Sequence, residues 1–145
     1  MIEKLNKLLS DLNVFYRKLQ NYHWYVKGSD FFIAHEKLEE YYDCISKQID
    51  EIAEHILILG GMPLGRLTDY LSESTIEEAN NEKISSCDIY KNITSDMTSI
   101  LNLCTKIKES ADNENNYATS SLIDEYISDY SKKIWMLKQL QEKGK

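Results

Sequence analysis

The sequence predicts an all-α fold: a four-helix bundle with a short extra helix in the crossover between the second and third long helices. Three observations carry this. The 145 residues include one proline and five glycines, too few breakers for a turn-rich β fold. Apolar residues recur every three or four positions through four long stretches. The cluster Gly60-Gly61-Met62-Pro63 ends the second stretch, and a polar segment separates it from the third.

The first helix is expected over residues 3 to 27, with Leu5, Leu8, Leu12, Phe15, Leu19, Tyr22 and Val26 as its apolar stripe. Gly28 stops it, and Ser29 or Asp30 is placed to cap the next helix. That second helix runs from about Phe31 to Leu59 on Phe31, His35, Leu38, Tyr42, Ile45, Ile49, Ile52, Ile56 and Leu59. Residues 64 to 72 fit a short helix with Leu67, Tyr70 and Leu71 as contacts. Thr75-Ile76-Glu77-Glu78 fits a capping box, although the polar stretch after it reads as loop. The third long helix covers about Ser86 to Ser110, with Ile89, Ile93, Met97, Ile100, Cys104 and Ile107 inward. Residues 112 to 116 form a polar turn. The fourth helix covers about Thr119 to Gln141 on Leu122, Tyr126, Tyr130, Ile134, Leu137 and Gln141, widened by Ile123 and Ile127. One long crossover among four helices is the ferritin-like topology.

Length fits one domain over residues 1–145, large enough to bury a core without staples. No stretch of 18 apolar residues exists, so no membrane span is expected. The first residues lack the basic and apolar regions of a signal peptide. Cys44, Cys87 and Cys104 match neither a zinc spacing nor a disulfide framework, which suits a reducing cytoplasm. A net charge of −7 attracts cations and repels nucleic acid.

The chemistry-bearing residues concentrate in the first 54 positions. Asp50 and Glu54 stand at i and i+4, one turn apart on a helix face. His23 and His35 add imidazole nitrogens, and mixed imidazole and carboxylate donors suit iron or zinc. No Glu-x-x-His motif occurs and the third and fourth long helices hold no histidine, which excludes a di-iron site of the usual intra-bundle pattern. Taken singly, a helical histidine is more often a core or surface residue, and an acidic i, i+4 pair is more often a solvated face. His55 points about 100° away from Glu54 round the helix and is expected at an exposed or interface position.

The flanking text is specific: Asn21-Tyr22-His23-Trp24-Tyr25-Val26-Lys27-Gly28, Phe31-Phe32, Ala34-His35-Glu36-Lys37 and Asp50-Glu51-Ile52-Ala53-Glu54. It resembles the ferroxidase signature of the DNA-protection-during-starvation (Dps) family, the mini-ferritins. The resemblance extends from about Asn13 to Gln141. It implies a homo-oligomeric shell, a dodecamer, with di-iron sites at dimer interfaces. Each site would take His23 and His35 from one subunit and Asp50 and Glu54 from another. Glu39 falls where the family often has an aspartate near the same metal, one methylene shorter. Ferrous iron and hydrogen peroxide are the implied substrates, and zinc is a competing occupant.

The same resemblance gives Trp24 and Trp135 places beside the iron site and near the C-terminus, as packing residues or, for Trp24 with Tyr22 and Tyr25, acceptors of oxidising equivalents. Glu36, Glu39 and Glu40 match carboxylates that line the family's inner cavity, or form a solvated face beside Lys37. Of the family's acidic entry pore, Asp112 matches one position, Ser121 stands where aspartate is usual, and Asp124 and Glu125 are close by. DNA-binding members use a mobile basic tail. Here the helical pattern begins by Leu5, and Lys143 and Lys145 are the only lysines beyond the last helix, so no strong DNA binding is expected. Iron oxidation and storage that protects against oxidative damage is the implied function. The alternatives are a non-catalytic metal buffer and a DNA-organising helical oligomer.

Overall fold

The computed structural model describes residues 1–142; the expectation about Lys143 and Lys145 lies outside the described residues. The elements are α1 (Ile2–Tyr25), β1 (Val26–Lys27), α2 (Phe31–Ile58), α3 (Leu67–Glu73), β2 (Ile84–Ser85), α4 (Ser86–Asn113) and α5 (Tyr117–Gln141). The expected bundle is present. α1 packs on α2, α4 on α5, and the two pairs meet through α1 and α4.

The core is the set of stripes read from the sequence. Leu5, Leu8, Leu12, Phe15 and Leu19 of α1 are fully buried, as are Leu38, Ile52 and Ile56 of α2 and Ile89, Ile93, Met97, Ile100, Cys104 and Ile107 of α4. On α5 the buried line is Ile123, Tyr126, Tyr130, Ile134 and Leu137, with Leu122 and Ile127 at its margin.

The first helix ends two residues earlier than its apolar pattern. Val26 and Lys27 leave the helix to pair in parallel with Ile84 and Ser85. Asp30 adds a second tie, accepting a hydrogen bond from the Ser86 hydroxyl at 2.6 Å instead of capping α2 with its side chain. Because β1 leads into α2 and β2 into α4, α2 and α4 start from the same end of the bundle. The crossover of residues 59–83 must therefore run the length of the molecule.

Two helix ends share one device. After α2, Gly60 takes φ +82° and the amides of Gly60 and Gly61 return to the carbonyls of Leu57 and Ile56, both at 2.9 Å. After α4, Asn115 takes φ +57° and the amides of Asn115 and Asn116 return to Asp112 and Ala111. Both are Schellman closures with a left-handed residue, glycine in one and asparagine in the other. Asn116 then caps α5 by accepting from the Thr119 amide. The polar turn is shorter than its composition suggests, because Ala111–Asn113 and Tyr117–Ala118 join the flanking helices.

The capping box expected at Thr75 is not formed. The short helix begins at Leu67, and Arg66 and Asp69 close its N-terminus, Arg66 reaching Asp69 through two guanidinium hydrogen bonds of 2.8 and 3.1 Å. Thr75 is engaged elsewhere. Asp11, buried on α1, accepts hydrogen bonds from the Ser74 hydroxyl at 2.9 Å, the Thr75 amide at 2.8 Å and the Thr75 hydroxyl at 3.3 Å. This carboxylate latches the crossover onto the first helix. Asp11→Ala strands these donors and is expected to lower stability by about 3 kcal/mol, measured by urea unfolding. A loss under about 1 kcal/mol would show that water replaces the latch.

Candidate metal centre

His23 sits in the last turn of α1 and His35 in the second turn of α2, on either side of the tight turn at Gly28. Gly28 has φ +124°, a conformation L side chains rarely adopt, and that turn folds the two imidazoles together. The rings stack with centroids 3.6 Å apart and planes 12° from parallel. Each ring also bonds the backbone of the other residue: His23 Nδ1 lies 2.6 Å from the His35 carbonyl oxygen, and His35 Nδ1 lies 2.7 Å from that of His23. A carbonyl oxygen only accepts, so both Nδ1 atoms carry protons and donate. In the neutral rings Nε2 is then the free lone pair, the tautomer a metal-ligating histidine needs.

Glu39, one turn after His35, approaches this pair. Its Oε1 is 3.7 Å from His23 Nε2 and accepts from the Tyr42 hydroxyl at 3.3 Å. Donors sit about 2 Å from a bound transition metal, so one ion can bridge this carboxylate and imidazole with small side-chain motion. Tyr42 also packs edge-on against the His23 ring, at 5.3 Å between centroids. Tyr42 thus has a second role beyond the apolar stripe, and its i+3 spacing from Glu39 is the sequence signal of it.

Asp50 and Glu54 are both exposed on α2. A hydrogen bond with Asp50 and its neighbouring charge raise the Glu54 pKa above the ordinary carboxylate value. Protonation of Glu54 competes with a metal there, so affinity falls as pH falls through the raised value. Fifteen residues of one continuous helix separate His35 from Asp50, a distance of roughly 22 Å at 1.5 Å per residue. One ion cannot touch both within a chain. Among the described residues, no group of three or more His, Cys, Asp or Glu side chains converges closely enough to hold an ion.

His55, expected at an exposed or interface position, is buried between α2 and α5 of the same chain. Its Nε2 lies 2.7 Å from the Thr119 hydroxyl, and burial lowers its pKa. The core stripe of α2 runs Tyr41, Ile45, Gln48, Ile52, His55, so two polar residues occupy core spacing. The direction away from Glu54 was read correctly, but it leads to α5 and not to solvent. Gln48 bonds the buried Tyr130 hydroxyl at 2.6 Å and Glu51 bonds that of Tyr126 at 2.6 Å, so the Asp50 segment is pinned to α5 from both sides.

The remaining sequence candidates fall in three places. Trp24 and Trp135 lie on the outside of the chain. Glu36, Glu39 and Glu40 are exposed, with Glu40 paired to Lys37 at 2.8 Å. Asp112 and Asp124 do not form a free acidic pair: Lys108 lies between them, 2.9 Å from Asp124 and 3.8 Å from Asp112. Ser121 is exposed.

A four-helix bundle with a helical crossover, histidines at one end of α2 and carboxylates toward the other, is the architecture of a ferritin-like protein. The comparisons agree. The family model described as a ferritin-like domain matches residues 2–145. The chain is 40% identical to DNA protection during starvation protein 2 of Bacillus anthracis, over 95% of this chain and 94% of that protein. It superposes on the crystal structure of Dps from Staphylococcus aureus with a TM-score of 0.95 at 34% identity, covering 99% and 95% of the two chains. It also superposes on a Dps protein from Vibrio cholerae, described as a member of a broad superfamily of ferritin-like diiron-carboxylate proteins. There the TM-score is 0.94 at 32% identity, with 97% and 88% coverage. The chain belongs to the Dps family of ferritin-like proteins.

Proposed function

We propose that this chain is the subunit of an iron-sequestering mini-ferritin. It oxidises ferrous iron at sites shared between two subunits and stores the ferric product inside a dodecameric shell, in the cytoplasm. The observation that carries the proposal is the separation within α2. Two imidazoles with free Nε2 atoms and Glu39 lie at one end, and Asp50 and Glu54 lie roughly 22 Å away. Each cluster alone is a poor cage for a transition metal. A second copy related by a two-fold axis brings the histidines of each chain to the carboxylates of the other.

The surface supports such pairing. Trp24, Phe32 and Ile33 near the histidines, and Leu57 and Ile58 near the carboxylates, are each more than half exposed in the single chain. Apolar side chains of this size mark contact surfaces. The imidazoles and carboxylates would hold ferrous ions as substrate, with Nδ1 locked to backbone so that Nε2 stays directed. Two ferrous ions give one electron each to one peroxide, which leaves as two hydroxides, so no hydroxyl radical forms. Zinc accepts the same donors and would compete as a blocking occupant.

The test is ferrous oxidation followed spectroscopically under two oxidants. Peroxide is expected to oxidise bound iron faster than dioxygen does, with a stored ferric product in the shell fraction. Metal binding without oxidation by either would favour a zinc-holding buffer.

Protection is expected to come from removing iron and peroxide, because a net charge of −7 gives little phosphate affinity. In a mobility-shift assay near neutral pH and without free iron, plasmid should run unshifted at both low and physiological salt. The protein should still prevent nicking by ferrous iron and peroxide, and His23→Ala/Asp50→Ala should lose that protection. A shift at physiological salt, or full protection by the variant, would make physical shielding the mechanism.

A further inference from the structure

Cys44 and Lys133 stand apart from the iron ligands, at the contact of α2 with α5. The Lys133 Nζ lies 3.1 Å from the Cys44 Sγ. That nitrogen is held from three sides: Asp129 accepts from it at 2.8 Å, and it lies over the rings of Tyr41 and Tyr130 at 5.8 and 5.7 Å. Cys44 is half-buried in the single chain. The other two cysteines differ. Cys104 is fully buried, and burial pushes its thiol up to about 12, which makes it inert. Cys87 is exposed at the start of α4.

We propose that Cys44 and Lys133 form a peroxide-driven, reversible covalent link that staples α2 to α5. The thiolate is the form that attacks peroxide, and the Lys133 ammonium lies between the Cys44 sulfur and the Asp129 carboxylate, which is itself 4.0 Å from that sulfur. The Cys44 sulfur bonds the near peroxide oxygen and the O–O bond breaks. The departing hydroxide takes a proton from the Lys133 ammonium and leaves as water. This produces a sulfenic acid and, in contact with it, a neutral amine. The amine nitrogen then bonds the sulfur, the S–O bond breaks, and the hydroxyl leaves as a second water with the amine proton. Sulfur loses two electrons, one peroxide gains two, and a sulfenamide joins the side chains. Sulfenic acids condense with nitrogen in this way, and a thiol reductant restores the pair. The link also keeps Cys44 from irreversible over-oxidation.

The inference does not depend on iron chemistry, and its test uses none. Assembled iron-free protein is treated with a modest excess of peroxide and mapped by non-reducing peptide mass spectrometry, with and without dimedone as a sulfenic-acid trap. In the wild type the Cys44 and Lys133 peptides should be found joined, two hydrogens lighter than their sum, and separated again by dithiothreitol. Lys133→Arg keeps the charge and the partner for Asp129, but a guanidinium does not give up its proton to become a nucleophile. In that variant, verified as helical and assembled, Cys44 should be trapped by dimedone at several times the wild-type yield. The proposal is overturned if Cys44 stays reduced under peroxide, if it is recovered in a disulfide, or if dimedone labels wild type and Lys133→Arg equally.

Discussion

His23→Ala and Asp50→Ala should each slow ferrous oxidation by peroxide by on the order of 100-fold, at least as much as the loss of a residue that merely orients a metal ligand. Their effects on stability should differ, which separates a lost ligand from a damaged fold. His23 is buried, stacked on His35 and bonded to the His35 carbonyl. Its truncation leaves a small cavity, unstacks His35 and removes one hydrogen bond to the His35 carbonyl, expected to cost about 1–3 kcal/mol. Asp50 is exposed, and its hydrogen bond and then its charge raise the Glu54 pKa, so Asp50→Ala removes a repulsion present whenever both groups are ionised. A group whose folded pKa is raised destabilises the fold at pH above that value and ceases to do so as pH falls through it. Asp50→Ala should therefore melt at the wild-type temperature or slightly above near neutral pH, with the difference vanishing on acidification. Circular dichroism should show both variants fully helical. Unchanged initial oxidation rates in both would remove these residues from the site.

This opposition illustrates which levels of the molecule are legible in sequence. The four long helices were, because each carries an apolar stripe at helical spacing. The end of α2 is legible at Gly60. The end of α1 was misjudged because its stop is tertiary, at Val26, which carries the α1 stripe forward yet pairs with Ile84. The 100° offset from Glu54 does not by itself say what His55 faces; the line Tyr41, Ile45, Gln48, Ile52 leads to it and sets it against α5. Asp11, Lys108 and Tyr42 act through partners 3 to 64 residues away, and no local pattern announces the contact of Asp11 with Thr75 or of Lys108 with Asp124.

The candidate site was legible by residue type and flanking text, while its geometry was not. Sequence could set His23 beside His35 only through resemblance. The reciprocal Nδ1 bonds, which leave Nε2 free, emerge from the turn at Gly28 and are visible only in the fold. The long separation of His35 from Asp50, by contrast, follows from a single uninterrupted helix and was already implicit in the pattern of α2.

That separation makes the sharing of the site between chains the central claim, and complementation tests it most directly. Chains carrying His23→Ala/His35→Ala keep the carboxylates, and chains carrying Asp50→Ala/Glu54→Ala keep the histidines. Each should be inactive alone. Where one of each pairs across a two-fold axis, one of the two sites regains all four ligands and the other loses all four. Random co-assembly of equal amounts should then restore about a quarter of wild-type ferrous oxidation. Recovery near that level in verified mixed shells is the predicted result; mixed shells as inactive as their parents would contradict a site built from two chains.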